Sequence, residues 1–167
     1  MEQTLIVFKP DAIQRGLVGE ILARFERAGL KLVAMKMLTA SDEHLEGHYE
    51  GIGGLRTRKG DHIYNITIEL MKSGPVLAGV LEGIDAVDNV RKMVGGTEPK
   101  SAAPGTIRGD YAHMSYGHAD AVGKGIPNMI HASADLGEAK QEIPHWFSKD
   151  EIHSYANTHD IYTQPRG

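Results

Sequence analysis

The 167-residue sequence contains no cysteine. This absence excludes disulfide bonds, thiolate metal sites, iron–sulfur clusters and catalysis by a thiol. The sequence also contains no apolar run of membrane-spanning length, and the run Leu5–Phe8 is too short for the apolar part of a signal peptide. We therefore expect a cytoplasmic protein that has no membrane partner.

Basic tracts are missing as well, because 18 basic and 22 acidic side chains are spread along the chain for a net charge of −4. A chain of this kind is not expected to bind nucleic acid, whether through the backbone or by sequence. Hydrophobic residues make up 41% of the sequence, which is enough to build a core. The length predicts a single domain over residues 1–167.

Hydrophobic patterning predicts an α+β protein in the order β-α-β-(α,α)-β-α-β-α. This order is typical of a ferredoxin-like split βαβ sandwich, a four-stranded antiparallel sheet with helices on its faces. The predicted strands are Thr4–Phe8, Lys31–Leu38, Val76–Leu81 and Asn128–Ser133. The predicted helices are Val18–Ala28, residues 42–49, Ile63–Met71 (with a strand as the alternative), Ile84–Val94, Asp135–Glu142 and Ser148–Ala156.

Three glycine-rich segments separate these elements, and they are predicted to be surface loops: Gly51–Asp61, Gly95–Gly109 and His113–Pro127. Long irregular loops inside a compact domain are often functional. The tail after Asn157 is polar, and we expect it to be loosely held.

Common phosphate-binding and metal-binding motifs are absent. Gly117–Gly125 has one residue too many between its glycines for a P-loop, and no hydroxyl follows Lys124. Neither an H-E-x-x-H motif nor an EF-hand loop is present. Any phosphate chemistry in this protein must therefore use individual side chains.

One set of residues has the composition needed for such chemistry. His131 lies in the apolar segment N-M-I-H-A-S, and an imidazole held at the end of a buried strand can act directly as a nucleophile. Glu142 could orient its second ring nitrogen, and Ser133 could hold that carboxylate. Arg108 lies between glycines, and the forked guanidinium group suits phosphate binding. The alternative for His131 taken alone is a histidine packed in the core.

Five short motifs resemble, in order, the motif set of the nucleoside diphosphate kinase family. The resemblance covers most of residues 1–156. The motifs are K-P-D-A (Lys9–Ala12), S-G-P (Ser73–Pro75), L-E-G (Leu81–Gly83), P-G-T-I-R-G-D (Pro104–Asp110) and N-x-x-H-x-S (Asn128–Ser133).

The resemblance implies a phosphotransferase that moves the γ-phosphoryl group of a nucleoside triphosphate to a nucleoside diphosphate. The route would be ping-pong, with a phosphohistidine formed at His131. Glu142 and Ser133 would orient the imidazole, and Mg²⁺ would bridge the nucleotide phosphates. The implied nucleotide-binding residues are Lys9, Tyr49, Ile63, Arg91, Thr97, Arg108 and Asn128. No protein metal ligand is implied, and we expect a homo-oligomer, either a hexamer or a tetramer.

The sequence departs from the family pattern at three places. Ile63 stands where the family usually has an aromatic residue that stacks on the base, and Tyr64 or His62 is the alternative. Ala134 stands where an aspartate is usual. The segments near 51–62 and 113–127 are longer than usual, and we interpret the second as a surface extension, with a lid or an assembly contact as alternatives.

These departures leave a second function open. A nucleotide-binding regulatory or assembly protein of the same fold would share the motifs but turn over slowly. The complete set of His131, Glu142 and Arg108 favours the enzyme.

Overall fold

The computed structural model describes residues 1–165, and within them four strands form one antiparallel sheet. The strand order across the sheet is β2-β3-β1-β4, as the ferredoxin-like prediction requires. The strands are β1 (Glu2–Phe8), β2 (Lys31–Leu38), β3 (Val76–Gly83) and β4 (Ile130–Ala132).

Helices of 4 to 11 residues connect and cover the strands. They are α1 (Pro10–Gln14), α2 (Val18–Arg27), α3 (Asp42–Glu46), α4 (Leu55–Lys59), α5 (Asp61–Met71), α6 (Ala86–Val94), α7 (Ile107–Tyr111), α8 (Tyr116–Val122), α9 (Leu136–Trp146) and α10 (Asp160–Thr163). A π-helical turn, Gly47–Ile52, follows α3, and the 3₁₀ turns are Pro99–Ser101 and Lys149–Glu151. Within residues 1–165, none of these helices combines the length and the apolarity needed to cross a membrane.

A hydrophobic core lies on each face of the sheet. Ile6 and Phe8 of β1 point into one core with α2 and α6, whereas Leu5 and Val7 point into the other with Trp146 of α9. Alternate residues of a strand face opposite sides, so a strand buried on both faces is apolar throughout. Helices therefore cover both faces, as predicted.

Two of the predicted loops are wrong in part, because short helices lie within them. Gly51–Asp61 contains the end of the π-helical turn and all of α4, and His113–Pro127 contains α8. The glycine-rich composition predicted loops because glycine has a low helix propensity. Helices of five and seven residues can nevertheless form where they pack on neighbouring elements, because packing contributes most of their stability. The Gly95–Gly109 loop is confirmed apart from a 3₁₀ turn and the start of α7.

The end of the chain also differs from the prediction. Ser148–Ala156 forms only the 3₁₀ turn Lys149–Glu151, which begins with a capping box between Ser148 and Glu151. The tail carries the short helix α10, and the last two residues, 166 and 167, lie outside the described residues.

The position of β4 decides where the site forms. Within residues 1–165, β4 pairs only with β1, and His131 lies opposite Val7 in the register. Residues opposite each other in an antiparallel pair share one face of the sheet. His131 therefore projects toward the face that α9 covers.

Candidate active site

A cleft of about 660 Å³ opens beside β4 and gathers residues from distant parts of the chain. Nine of the ten site residues predicted from the sequence line this cleft. They are Lys9, Tyr49, Ile63, Arg91, Thr97, Arg108, Asn128, His131 and Glu142. The tenth, Ser133, is fully buried behind Glu142.

A chain of hydrogen bonds fixes the His131 imidazole. Its Nε2 lies 2.7 Å from Oε1 of Glu142, and the hydroxyl of Ser133 donates to Oε2 of the same carboxylate at 2.5 Å. The backbone N–H of Leu5 donates to Ser133 Oγ at 3.2 Å. The ring orientation is therefore set by the backbone of the central strand, and Nδ1 is the ring nitrogen that this chain of bonds leaves free.

The local fold explains why Glu142 reaches this position. Ala139, Glu142 and Trp146 are the buried residues of α9, and their spacing of three and four puts them on one helix face. That face packs on β1, so Glu142 enters the interior beside His131. Asp135 caps the helix by accepting a hydrogen bond from the Glu138 N–H at 2.8 Å.

The surroundings hold His131 in its neutral form at neutral pH. Burial lowers the pKa of the imidazole, and the positive charges of Lys9, Arg108 and Arg91 lower it further, against an opposing effect of Glu138. Burial also raises the pKa of Glu142, although His48 and the Ser133 hydroxyl act in the opposite direction. A neutral imidazole retains the lone pair that a nucleophile needs.

His48 is a site residue that the sequence analysis missed. Its ring packs edge-on against His131 at 4.6 Å between centroids, and Nδ1 accepts a hydrogen bond from Trp146 Nε1 at 3.2 Å. Burial lowers the pKa of His48, so this ring is neutral too. The π-helical turn carries it into the cleft, and such turns are frequent at functional sites. No sequence motif distinguishes it from the other histidines.

Lys9, Asn128 and Thr97 form a second connected group. Lys9 Nζ donates to Asn128 Oδ1 at 2.7 Å, and Asn128 Nδ2 donates to the Thr97 carbonyl at 2.8 Å. Burial, followed by the charge of Arg108, lowers the pKa of Lys9 to about 8. The lysine is therefore cationic at neutral pH but close to its titration.

Arg108 is buried and held by three backbone carbonyls. Its guanidinium donates to the carbonyls of Gly95 (3.1 Å), Asn128 (3.3 Å) and Ile130 (2.7 Å). Burial and the charge of Arg91 lower its pKa to about 10, which leaves it cationic at neutral pH. A guanidinium has five N–H donors, so donors remain for a phosphate in the cleft.

The local geometry requires the second glycine of the G-T-I-R-G-D motif, Gly109. A Cβ on Gly109 would lie 2.1 Å from the carbonyl oxygen of Ala103, so only glycine fits. Thr106 caps α7 by accepting from the Gly109 N–H at 3.1 Å, and Asp110 accepts from the Gly105 N–H at 2.7 Å. These hydrogen bonds fix the backbone of the loop on both sides of Arg108.

The turn before β4 depends on Asp11, another residue whose part the sequence analysis did not identify. Met129 has a φ of +69°, a left-handed conformation that is unfavourable for a bulky residue. Its backbone N–H donates to Asp11 Oδ2 at 2.9 Å, and the Lys9 N–H donates to the Met129 carbonyl at 2.9 Å. The K-P-D-A motif therefore anchors the strand that carries His131.

The residues that the sequence analysis considered as contacts for a nucleotide base lie in different surroundings. Ile63 lines the cleft with Ile66 and Leu70 of the same helix. Tyr64 is buried, with its hydroxyl bonded to Glu46 and the Arg56 guanidinium 3.9 Å above its ring. The α5 side of the cleft is therefore mainly aliphatic, with Thr67 as its hydroxyl side chain.

Comparison with known proteins agrees with this geometry. The sequence model of the nucleoside diphosphate kinase family matches residues 2–152. A nucleoside diphosphate kinase of Borreliella burgdorferi is 42% identical over 155 residues, which cover 93% of this chain and 92% of the relative. One from Pyrococcus furiosus is 44% identical over 162 residues, which cover 97% and 92%.

A solved structure is similar over almost its whole length. It is a transition-state mimic of the Borrelia burgdorferi nucleoside diphosphate kinase with bound vanadate and ADP. Its TM-score is 0.93 at 40% identity, and the match covers 97% of this chain and 96% of that one. The chain therefore belongs to the nucleoside diphosphate kinase family, phosphotransferases that move a γ-phosphoryl group from a nucleoside triphosphate to a nucleoside diphosphate.

Proposed function

We propose that His131 carries the phosphoryl group between the two nucleotides as a phosphohistidine formed at Nδ1. The observation that carries this proposal is the 2.7 Å contact between His131 Nε2 and Glu142 Oε1. A ring that donates from Nε2 holds its lone pair on Nδ1. The family membership supplies the reaction, and this contact supports Nδ1 as the reacting atom.

In the first half-reaction, the Nδ1 lone pair attacks the γ-phosphorus of the triphosphate. An N–P bond forms, the bond from phosphorus to the bridging oxygen breaks, and the nucleoside diphosphate leaves with that electron pair. The ring becomes cationic, and the Glu142 carboxylate stabilises it through the Nε2 proton. In the second half-reaction, a terminal phosphate oxygen of the acceptor diphosphate attacks the phosphorus and the N–P bond breaks.

Lys9, Arg91 and Arg108 are proposed to hold the phosphates during both steps. Phosphoryl transfer depends mainly on positioning and on stabilising charge that spreads over the transferring group. All three cations act on the pKa of His131, which indicates that their charge reaches the reacting ring. Lys9 and Asn128 are proposed to contact the ribose hydroxyls and terminal phosphates.

Tyr49 is proposed to bind the nucleotide beside His131, together with Thr97. The hydroxyl of Tyr49 is buried and has no hydrogen-bond partner among residues 1–165. A buried hydroxyl of this kind normally finds a partner. An oxygen of the bound nucleotide would supply it, because Tyr49 lines the cleft.

Enzymes of this family need a divalent cation for catalysis, and we propose Mg²⁺. The donor atoms of His48, His131 and Glu142 lie within 4.8 Å of one another, but two of them are nitrogens, and Mg²⁺ prefers oxygen ligands. Together with the cations that line the cleft, this donor set fits an ion held by nucleotide phosphates and water, with no protein ligand. When bound, the ion would neutralise phosphate charge.

The sheet edge at β2 supports a homo-oligomer, which we propose to be a hexamer or a tetramer. Met35 and Met37 of this edge strand are 37% and 58% exposed. Apolar side chains on an open strand edge are typical of a surface that another chain covers. We also propose that the protein acts in the cytoplasm and functions as a single domain.

Labelling with γ-³²P ATP tests the nucleophile. We expect the wild-type protein to acquire an acid-labile label that a nucleoside diphosphate removes. The His131→Ala variant should bind nucleotide but acquire no label, because it lacks the ring nitrogen proposed to carry the phosphoryl group. His153→Ala, which alters an exposed histidine outside the cleft, is the control. Wild-type labelling of His131→Ala would refute the assignment.

A further inference from the structure

The segment between α7 and β4 forms a wall of the cleft instead of a separate surface extension. Tyr116, Ala119 and Asp120 line the cleft, and their spacing of three and four puts them on one face of α8. Lys124 lines it just beyond the helix. The extra residues of this chain therefore contact the space that a substrate enters.

Both ends of this wall are fixed to the rest of the protein. At the start, Glu98 accepts from the Tyr116 N–H at 2.8 Å, and the Lys100 N–H donates to the Met114 carbonyl at 3.1 Å. At the end, a Cβ on Gly125 would lie 2.5 Å from the Ile66 carbonyl oxygen, so the backbone there packs directly on α5. The α8 side chains are thus held at defined positions along the cleft.

The two ends of α8 border different parts of the cleft. Tyr116 is bonded through its N–H to Glu98, the residue after Thr97, and it lines the cleft together with Thr97 and Arg108, which places the start of α8 near the proposed phosphate site. Gly125, beyond the other end of α8, packs on α5. The aliphatic side chains of α5 suit contact with a nucleotide base. A seven-residue helix spans about 10 Å, comparable with the reach from the terminal phosphate to the base.

Asp120 and Lys124 are therefore near the base end, and both are available to a ligand. Both side chains are exposed and line the cleft, and neither forms an ion pair with any residue from 1 to 165. A carboxylate offers two acceptor oxygens and an ammonium offers three donors. Guanine presents two adjacent donors, N1–H and the N2 amino group, beside the acceptor O6.

We propose that Asp120 and Lys124 contact the edge of the base and make this enzyme prefer guanine nucleotides. Asp120 accepts from N1–H and N2, and Lys124 donates to O6. Adenine has no donor at N1 and no amino group at C2, so it loses the paired contact with Asp120. Hypoxanthine keeps N1–H and O6 but lacks the amino group, so it falls between the two.

This inference rests on the proposed phosphohistidine, and one experiment separates the two. The protein is labelled with γ-³²P ATP, the excess ATP is removed, and the rate of discharge is measured with GDP, IDP or ADP. Failure to acquire label would refute the proposed function. A labelled protein that all three diphosphates discharge at equal kcat/KM would refute only the guanine preference.

For the wild type we expect kcat/KM in the order GDP, IDP, ADP, with GDP about fivefold or more above ADP, as one or two hydrogen bonds would give. Asp120→Ala should remove the difference between GDP and IDP and lower the GDP/ADP ratio of kcat/KM, because only the Lys124 contact with O6 remains. Lys124→Ala should lower discharge by GDP and IDP. Asp150→Ala, at an exposed site outside the cleft, is the matched control. An unchanged GDP/ADP ratio in Asp120→Ala would overturn the proposal.

Discussion

At the scale of single residues, the site combines a neutral imidazole, the proposed nucleophile, with cations that stay charged. Burial keeps the imidazole of His131 neutral, and the same burial lowers the pKa of Lys9 to about 8. Arg108 keeps its charge well above neutrality, because its pKa is about 10. The cation most sensitive to pH is therefore Lys9.

The pH dependence of kcat/KM for the acceptor diphosphate should report Lys9. Below pH 8 the lysine is charged and binds phosphate, and above pH 8 it loses that charge, so kcat/KM should fall as the pH rises through about 8. In Lys9→Arg the cation stays charged, and the alkaline limb should move up by at least about one pH unit.

The control for this prediction is Lys92→Arg, which alters an exposed lysine of α6. Its pH profile should match the wild type. If the alkaline limb stays at the same pH in Lys9→Arg, Lys9 is not the group that titrates. The profile of kcat, measured at saturating nucleotide, should fall at a higher pH, because bound phosphates stabilise the charged lysine.

At the scale of elements, short irregular segments position the proposed catalytic groups. The π-helical turn after α3 brings His48 beside His131, and the left-handed residue Met129 precedes the three-residue strand β4. A strand that short has few ladder bonds, so its position depends on the turn before it. Asp11 holds that turn from α1 through the Met129 N–H.

Replacing Asp11 should therefore affect both stability and catalysis. Asp11→Ala leaves the buried N–H of Met129 without a partner, and we expect the free energy of unfolding to fall by about 1–3 kcal/mol. Phosphohistidine formation should slow because β4 carries His131. Urea unfolding and single-turnover labelling measure the two effects.

Two variants sharpen this test. Asp11→Asn keeps an acceptor oxygen and should lose less stability than Asp11→Ala. Asp88→Ala, at an exposed position of α6, should leave both measurements unchanged. An Asp11→Ala protein as stable as the wild type would show that Asp11 does not hold the turn.

At the scale of the whole molecule, the exposed part of β2 around Met35 and Met37 is the feature most relevant to assembly, since His153 and Tyr155 already bond to Val33 and Leu32. β2 lies at one end of the sheet, and β4, at the other end, borders the cleft. An oligomer joined at β2 would therefore leave every cleft open to nucleotide. Met37 is the most exposed apolar residue of that edge.

Met37→Glu should dissociate or shrink the proposed oligomer, because it puts a charge into an apolar contact. Light scattering coupled to size exclusion gives the mass of both forms. Leu136→Glu, at an exposed position of α9 away from β2, serves as the control and should keep the wild-type mass. A wild-type protein of monomer mass would refute the proposed oligomer directly.

Much of the site was predictable because its residues lie in short, ordered motifs. His131, Glu142 and Arg108 were identified from residue type and position, and the structure brings all three to one cleft. His48 and Asp11 were missed as site residues because their importance comes from contacts with distant residues, His131 and Met129. Asp120 was missed because the glycine-rich stretch around it predicted a loop.

The sequence by itself determined the short apolar runs that form the strands of the sheet, and the order of motifs that identifies the reaction. Both are local patterns, so they can be recognised without knowing which residues are neighbours in space. Only the tertiary structure decided which face of the sheet receives His131, which carboxylate oxygen meets its Nε2, and that residues 113–127 line the cleft. Those outcomes depend on pairing between residues far apart in the chain, which no local pattern specifies.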